Sequence, residues 1–164
     1  MIIQTLLLIG FGLPLAKTDL AEHRLPNRLV AALTVSELVL SALFAAYVET
    51  YRSTFVFSLV LAVVIAVVAI AASLLTPVLI GMGDAKLLFV ISFLTIGVGP
   101  LGLIAGLFWV GIAGCSFGLY AITLGNKNLK SALPFGPILL SAPLASAAMQ
   151  PFLLGLINSA VTVS

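Results

Sequence analysis

The chain has 164 residues, 62% of them hydrophobic and only 7% charged, with a mean hydropathy of +1.32. A soluble domain carries about 25% charged residues, so this composition excludes a soluble fold of useful size and points to one helical domain in lipid. The formal net charge of +2 gives nucleic acid no electrostatic footing, and the single cysteine, Cys115, excludes an internal disulfide and a zinc site built on paired cysteines.

Charged residues and glycine or proline breaks divide the chain into six apolar segments. They predict helices over 2–18, 29–48, 54–76, 84–98, 101–124 and 134–158. A spanning helix needs roughly 20 residues, with about 17–25 usual. The first segment starts at Ile2 with no Lys or Arg before it, so no signal peptide is expected. It carries Gly10, Gly12 and Pro14 and is marginal as a span. The fourth is short because Gly97, Gly99 and Pro100 interrupt the apolar run from Leu87 to Leu124. One bent helix over 87–124 is the alternative, and would leave five spans. In the fifth segment Gly102, Gly106, Gly114 and Gly118 stand mostly four apart, a spacing that lets helix backbones approach closely in lipid. The expected fold is an all-α polytopic bundle of about six transmembrane helices, a single domain over 1–164.

Basic residues orient a membrane bundle, because they favour cytoplasmic loops. Lys17, Arg24, Arg28, Lys86, Lys127 and Lys130 fall at the first, third and fifth connections, and only Arg52 falls at the others. Six crossings therefore place those three connections in the cytoplasm and both termini outside. Five crossings would move Lys127 and Lys130 to the other face.

Five carboxylates are available. Glu22 and Glu49 fall in predicted loops and are expected to be solvated. Glu37 lies ten residues beyond Asn27, about 15 Å into the second helix at about 1.5 Å per residue. A carboxyl at that depth is either a cavity residue or a group hydrogen-bonded within the bundle, with Ser36 or a facing hydroxyl as partner. Asp19 and Asp84 stand apart, since the topology puts them at one membrane face and similar depth. Each alone has a plain reading, Asp19 paired with Arg24 and Asp84 as a helix-start acid favoured by the dipole. Asp84, however, sits in Gly81-Met82-Gly83-Asp84-Ala85-Lys86. Two glycines free of side chains let a second backbone, such as an extended peptide, approach the carboxylate. Two neighbouring carboxyls share one proton. The ionised one can activate water and the protonated one can polarise a scissile carbonyl, so an amide is hydrolysed without metal or cofactor. His23 is the only histidine, and no zinc-binding or GxSxG spacing supports another chemistry.

Three segments resemble the type IV prepilin peptidases, the GxGD class of membrane aspartic proteases. Asp19-Leu20-Ala21-Glu22-His23-Arg24-Leu25-Pro26-Asn27 looks like that family's catalytic Asp followed by an aliphatic residue, Pro and Asn. Gly81-Met82-Gly83-Asp84-Ala85-Lys86-Leu87 resembles its GxGDxKL signature. Pro134-Phe135-Gly136-Pro137 is similar to its PFGP element. The paired CxxC motifs of longer members are missing, so the chain resembles the short peptidase-only form of tight-adherence, Gram-positive pseudopilin and archaeal preflagellin systems, without methyltransferase activity. The resemblance implies catalysis by Asp19 and Asp84. It implies removal of a short basic leader ending in Gly from prepilin or pseudopilin precursors, at the cytoplasmic face of a prokaryotic plasma membrane. Glu22 would meet the leader's basic residues, and Asn27 and Lys86 would orient the loops or hold the carboxylates, with an interfacial ion pair as the alternative for Lys86.

Three rival readings follow from the same residues. Presenilin-like and signal-peptide-peptidase-like proteases share GxGD, but Asp19 follows Thr18 instead of Tyr, and Ala132-Leu133-Pro134 has the wrong order for their later motif. A small proton-coupled carrier using Glu37 and Asp84 would usually show an inverted repeat, which the two halves lack. A non-catalytic assembly protein that keeps the fold is the third.

Overall fold

The structure is a computed structural model that describes residues 2–22, 25–75, 81–99, 101–123 and 135–163. The described residues form six α-helices: α1 Ile2–Glu22, α2 Asn27–Tyr47, α3 Glu49–Leu75, α4 Met82–Val98, α5 Gly102–Thr123 and α6 Gly136–Val163. The chain is an all-α polytopic membrane protein. Five of the helices are long and apolar enough to cross a membrane. Their outward faces carry Val35, Val39, Val60, Val64, Val68 and Leu107, all well exposed, which suits lipid and would be an untenable patch in water.

The sixth, α4, has 17 residues and is therefore about 25 Å long. It packs against α2, α3, α5 and α6, while α1 closes the bundle by packing on α2 and α6. Its burial is nearly continuous from Leu87 to Ile96, as expected of a helix apolar all round. Gly99 ends it with φ 153° and ψ −173°, a region open essentially to glycine alone. The run 87–124 is thus two helices, and the bent-helix alternative is ruled out.

Small residues set the close approaches. Along α3 the buried stripe is Ser58, Ala62, Ala66, Ala69 and Ser73. On α5, a Cβ added at Gly102 would overlap the Thr95 carbonyl oxygen of α4, and one at Gly106 would stand 2.8 Å from Thr95 Cγ2. Ser146 Oγ of α6 donates to the Gly102 carbonyl at 2.6 Å. Gly102 and Gly106 thus lie on a close-packed face of α5. Gly102→Ala is expected to cost about 1–3 kcal/mol through overpacking. Gly111 has nothing within 4 Å of its Cβ position, so Gly111→Ala should be neutral or slightly stabilising. Thermal unfolding of the two variants in detergent, followed by circular dichroism, tests the contrast; equal midpoints would remove α5 from the close packing.

Helix ends differ from the sequence reading. α1 runs on to Glu22 through Gly10, Gly12 and Pro14, and α3 begins at Glu49 instead of 54 because a single extended residue, Val48, makes the reversal. Glu22, Glu49 and Arg52 are therefore helical, not in loops. α6 begins at Gly136 and extends to Val163, past the expected end at 158. Hydropathy marks where a helix leaves lipid, and these helices continue beyond that point.

Candidate active site

Asp19 does not end its helix. It lies on the buried stripe Leu8, Gly12, Leu15 and Asp19 of α1, one face at helical spacing, and it is 5% exposed. α1 packs this face on α6, with the Cβ position of Gly12 in ordinary contact, 3.5 Å, with Leu140 Cδ2. The stripe then carries Asp19 to the start of α6. There the backbone N–H of Gly136 donates to Asp19 Oδ2 at 2.9 Å, a buried bond across 117 positions. A Cβ at Gly136 would sit 2.8 Å from that oxygen, so the close approach requires glycine. Phe135 packs its ring edge 3.1 Å from the Cβ position of Gly114 on α5, holding the turn from the other side.

Asp84 occupies the first turn of α4, whose N-cap is Gly81, where the helix dipole favours an acid. It is partly exposed. Leu25 of the α1–α2 connection packs on Gly83 beside Asp84, and Asn27 at the start of α2 accepts from Lys86 of α4. The two acids therefore share one end of the bundle although α1 and α4 do not pack on each other; α2 and α6 bridge them. The glycines beside Asp84 have separate uses. The Cβ position of Gly81 is 3.4 Å from Asp84 Oδ2, so Gly81 itself places no side chain beside that oxygen. Gly83 instead faces Leu25, whose Cβ would be 3.2 Å away. The space it leaves is filled by the α1–α2 connection, which corrects the expectation that both glycines make room for a second backbone.

Lys86 Nζ donates to Asn27 Oδ1 at 3.1 Å. The bond ties the start of α2 to that of α4, and the partner of Lys86 is an amide oxygen, not a carboxylate. Pro26 is the N-cap residue of α2. Beside this tether an open groove lined by Val30, Ala31, Thr34, Ala66 and Phe89 runs between α2, α3 and α4. The bond is exposed, so Lys86→Met is expected to cost no more than about 1 kcal/mol of stability; a larger loss in detergent melts would show that the tether is a main strut of the bundle.

Glu37 is fully buried on the α2 stripe Val30, Leu33, Glu37, Ser41 and Ala45. Neither of its oxygens has a hydrogen-bond partner among the described residues. Ser36, the partner expected by name, donates to the Leu33 carbonyl at 2.9 Å instead, and Ser41 on the same stripe accepts from Gln4 Nε2 at 2.9 Å. The hydrogen-bonded reading of Glu37 is thereby corrected. The small cavity of about 50 Å³ bounded by Gln4, Tyr51, Gly97 and Pro143 lies toward the end of the bundle away from Asp19 and Asp84. It is roomy enough for a few waters at most.

His23, Arg24, Lys127, Lys130 and Pro134 lie outside the described residues. No cluster of three His, Cys, Asp or Glu side chains that could hold a metal occurs among the described residues. The contact that the spacing of motifs did not reveal is the one between Gly136 and Asp19. Its only trace in the sequence is a Gly-Pro pair opening a helix, where an N–H is left without an intrahelical partner. No family model matches the chain, nor does any curated protein or solved structure.

Proposed function

We propose that this protein is a membrane aspartic endopeptidase of the type IV prepilin peptidase kind, with Asp19 and Asp84 as its catalytic pair. The observation that carries the reading is a shared end of the bundle: Asp84 opens α4 beside the α1–α2 connection that follows Asp19, and Asp19 is buried against the start of α6. In a low-dielectric setting two such carboxyls hold one proton between them. The pair can then take a proton from water and give one to a carbonyl in the same step. Gly81 brings no side chain beside Asp84, which favours the approach of an extended backbone. The substrates are prepilin or pseudopilin precursors, whose hydrophobic helix stays in lipid while the leader is cut at the membrane edge. That edge is the cytoplasmic face of a prokaryotic plasma membrane, the side the basic residues favour. No cofactor, methyl transfer or nucleic acid enters this reading.

A carrier reading draws on one observation, the carboxyl of Glu37 deep in α2, which has no hydrogen-bond partner among the described residues. It offers no reason for Asp19 and Asp84 to converge. The deciding experiment is co-expression with a pilin-like precursor from the same genome, with the product identified by mass spectrometry. Cleavage on the carboxyl side of a glycine before the hydrophobic helix is the expected result; an intact precursor in the presence of correctly inserted protein would sink the proposal.

A further inference from the structure

The turn that opens α6 makes the two acids unequal. Asp19 Oδ2 accepts a buried backbone N–H from Gly136, at the first turn of a 28-residue helix. Among the described residues none donates a hydrogen bond to Asp84. α4 also presents its N-terminus to Asp84, but without a side-chain cap hydrogen bond. A direct charge-assisted hydrogen bond added to a helix N-terminus holds an anion more strongly than the helix dipole alone. Gly136 cannot be replaced without moving the carboxylate, since any Cβ would lie 2.8 Å from Oδ2 and 3.1 Å from Cγ. Phe135, seated on Gly114 of α5, keeps the turn from backing away.

We infer that Gly136 is a positioning residue that divides the labour of the pair, keeping the single negative charge on Asp19 and the shared proton on Asp84. This rests on the peptidase reading. In the first step the water oxygen bonds to the scissile carbonyl carbon and its proton passes to Asp19. The proton of Asp84 passes to the carbonyl oxygen, giving a neutral gem-diol. In the second step the C–N bond breaks and the nitrogen takes the proton from Asp19. A gem-diol hydroxyl returns its proton to Asp84, and the pair is restored. Atoms and protons balance with water as the only co-reactant. Gly136 touches no reacting atom; it fixes one oxygen of Asp19 and leaves the other to face the water.

The test uses the full chain in detergent and a precursor that the parent protein cleaves. Gly136→Ala introduces the overlapping Cβ. A second variant replaces the Gly136 amide by an ester, made by cell-free translation with glycolic acid at that position, and so removes the N–H while adding no side chain. Both are expected to lower kcat at least tenfold with KM within twofold of the parent. Both are also expected to move the acidic limb of the kcat profile to higher pH, because the base that must be ionised has lost its donor. An ester variant with the parent's kcat and an unmoved acidic limb would overturn the inference, whatever Gly136→Ala does to folding. Failure of the parent to cleave any leader would instead overturn the peptidase reading beneath it.

Discussion

Asp19→Ala and Asp84→Ala should each reduce the rate of leader cleavage by at least about a thousandfold, roughly 4 kcal/mol of transition-state stabilisation. Positioned acid–base groups typically contribute about 10²–10⁴-fold apiece, and here each acid depends on its partner to share the proton. The losses are therefore expected not to add. The double variant should be no slower than about tenfold below the worse single variant, because a unit broken once has little left to lose. Rates measured by mass spectrometry on a co-reconstituted precursor decide this. Two independent losses that multiply would mean that the acids act separately, and normal cleavage by either variant would remove it from the site.

Stability separates the same two variants where activity does not. Asp19 is buried and accepts the Gly136 N–H, so its removal leaves a buried donor unpaired at a helix start, a loss of about 0.5–2 kcal/mol for comparable caps. Asp84 is partly exposed and caps nothing by hydrogen bond, so Asp84→Ala should melt near the parent. A pair of equally inactive variants with unequal stability is the signature of a site in which one acid also holds the fold.

Most of the architecture was legible because the charged residues are so few. Each break in the apolar runs falls near a real helix end, and Gly99 with Pro100 marked the division of α4 from α5 that the φ of 153° requires. The ends differ where polar residues resemble a loop. Lys17, Thr18 and Asp19 remain inside α1, and Glu49 to Arg52 open α3, since nothing in those residues forbids a helix outside lipid. The shared end of Asp19 and Asp84 was legible from topology, and the inward aim of Asp19 could be read from its spacing of four and seven from Leu15 and Gly12. The Gly136 bond was not, because it spans 117 positions and no periodicity reports which helix N-terminus meets which acid. Nor could a sequence show that Leu25 fills the space over Gly83, or that Ser41 serves Gln4 and not Glu37.

Glu37→Met is expected to stabilise the protein, by roughly 1–3 kcal/mol, the usual cost of a buried polar group left without partners. The side chain is fully buried and both oxygens lack hydrogen bonds among the described residues. Methionine is close in length, unbranched and able to settle into an irregular space, so it removes the desolvated group and opens no large void. Glu37→Gln keeps a polar head that also lacks partners and should gain less. The prediction is checked by the order of thermal midpoints in detergent, Met above Gln and Gln near the parent, with leader cleavage retained in both. A Met variant that inserts at normal levels and melts higher but no longer cleaves would show that evolution has kept an expensive carboxyl in mid-helix for the reaction. Glu37 would then join Asp19 and Asp84 as a working acid. A Met variant that melts lower would mean that the carboxyl is satisfied in the folded protein, and that its burial is part of what holds α2 in the bundle.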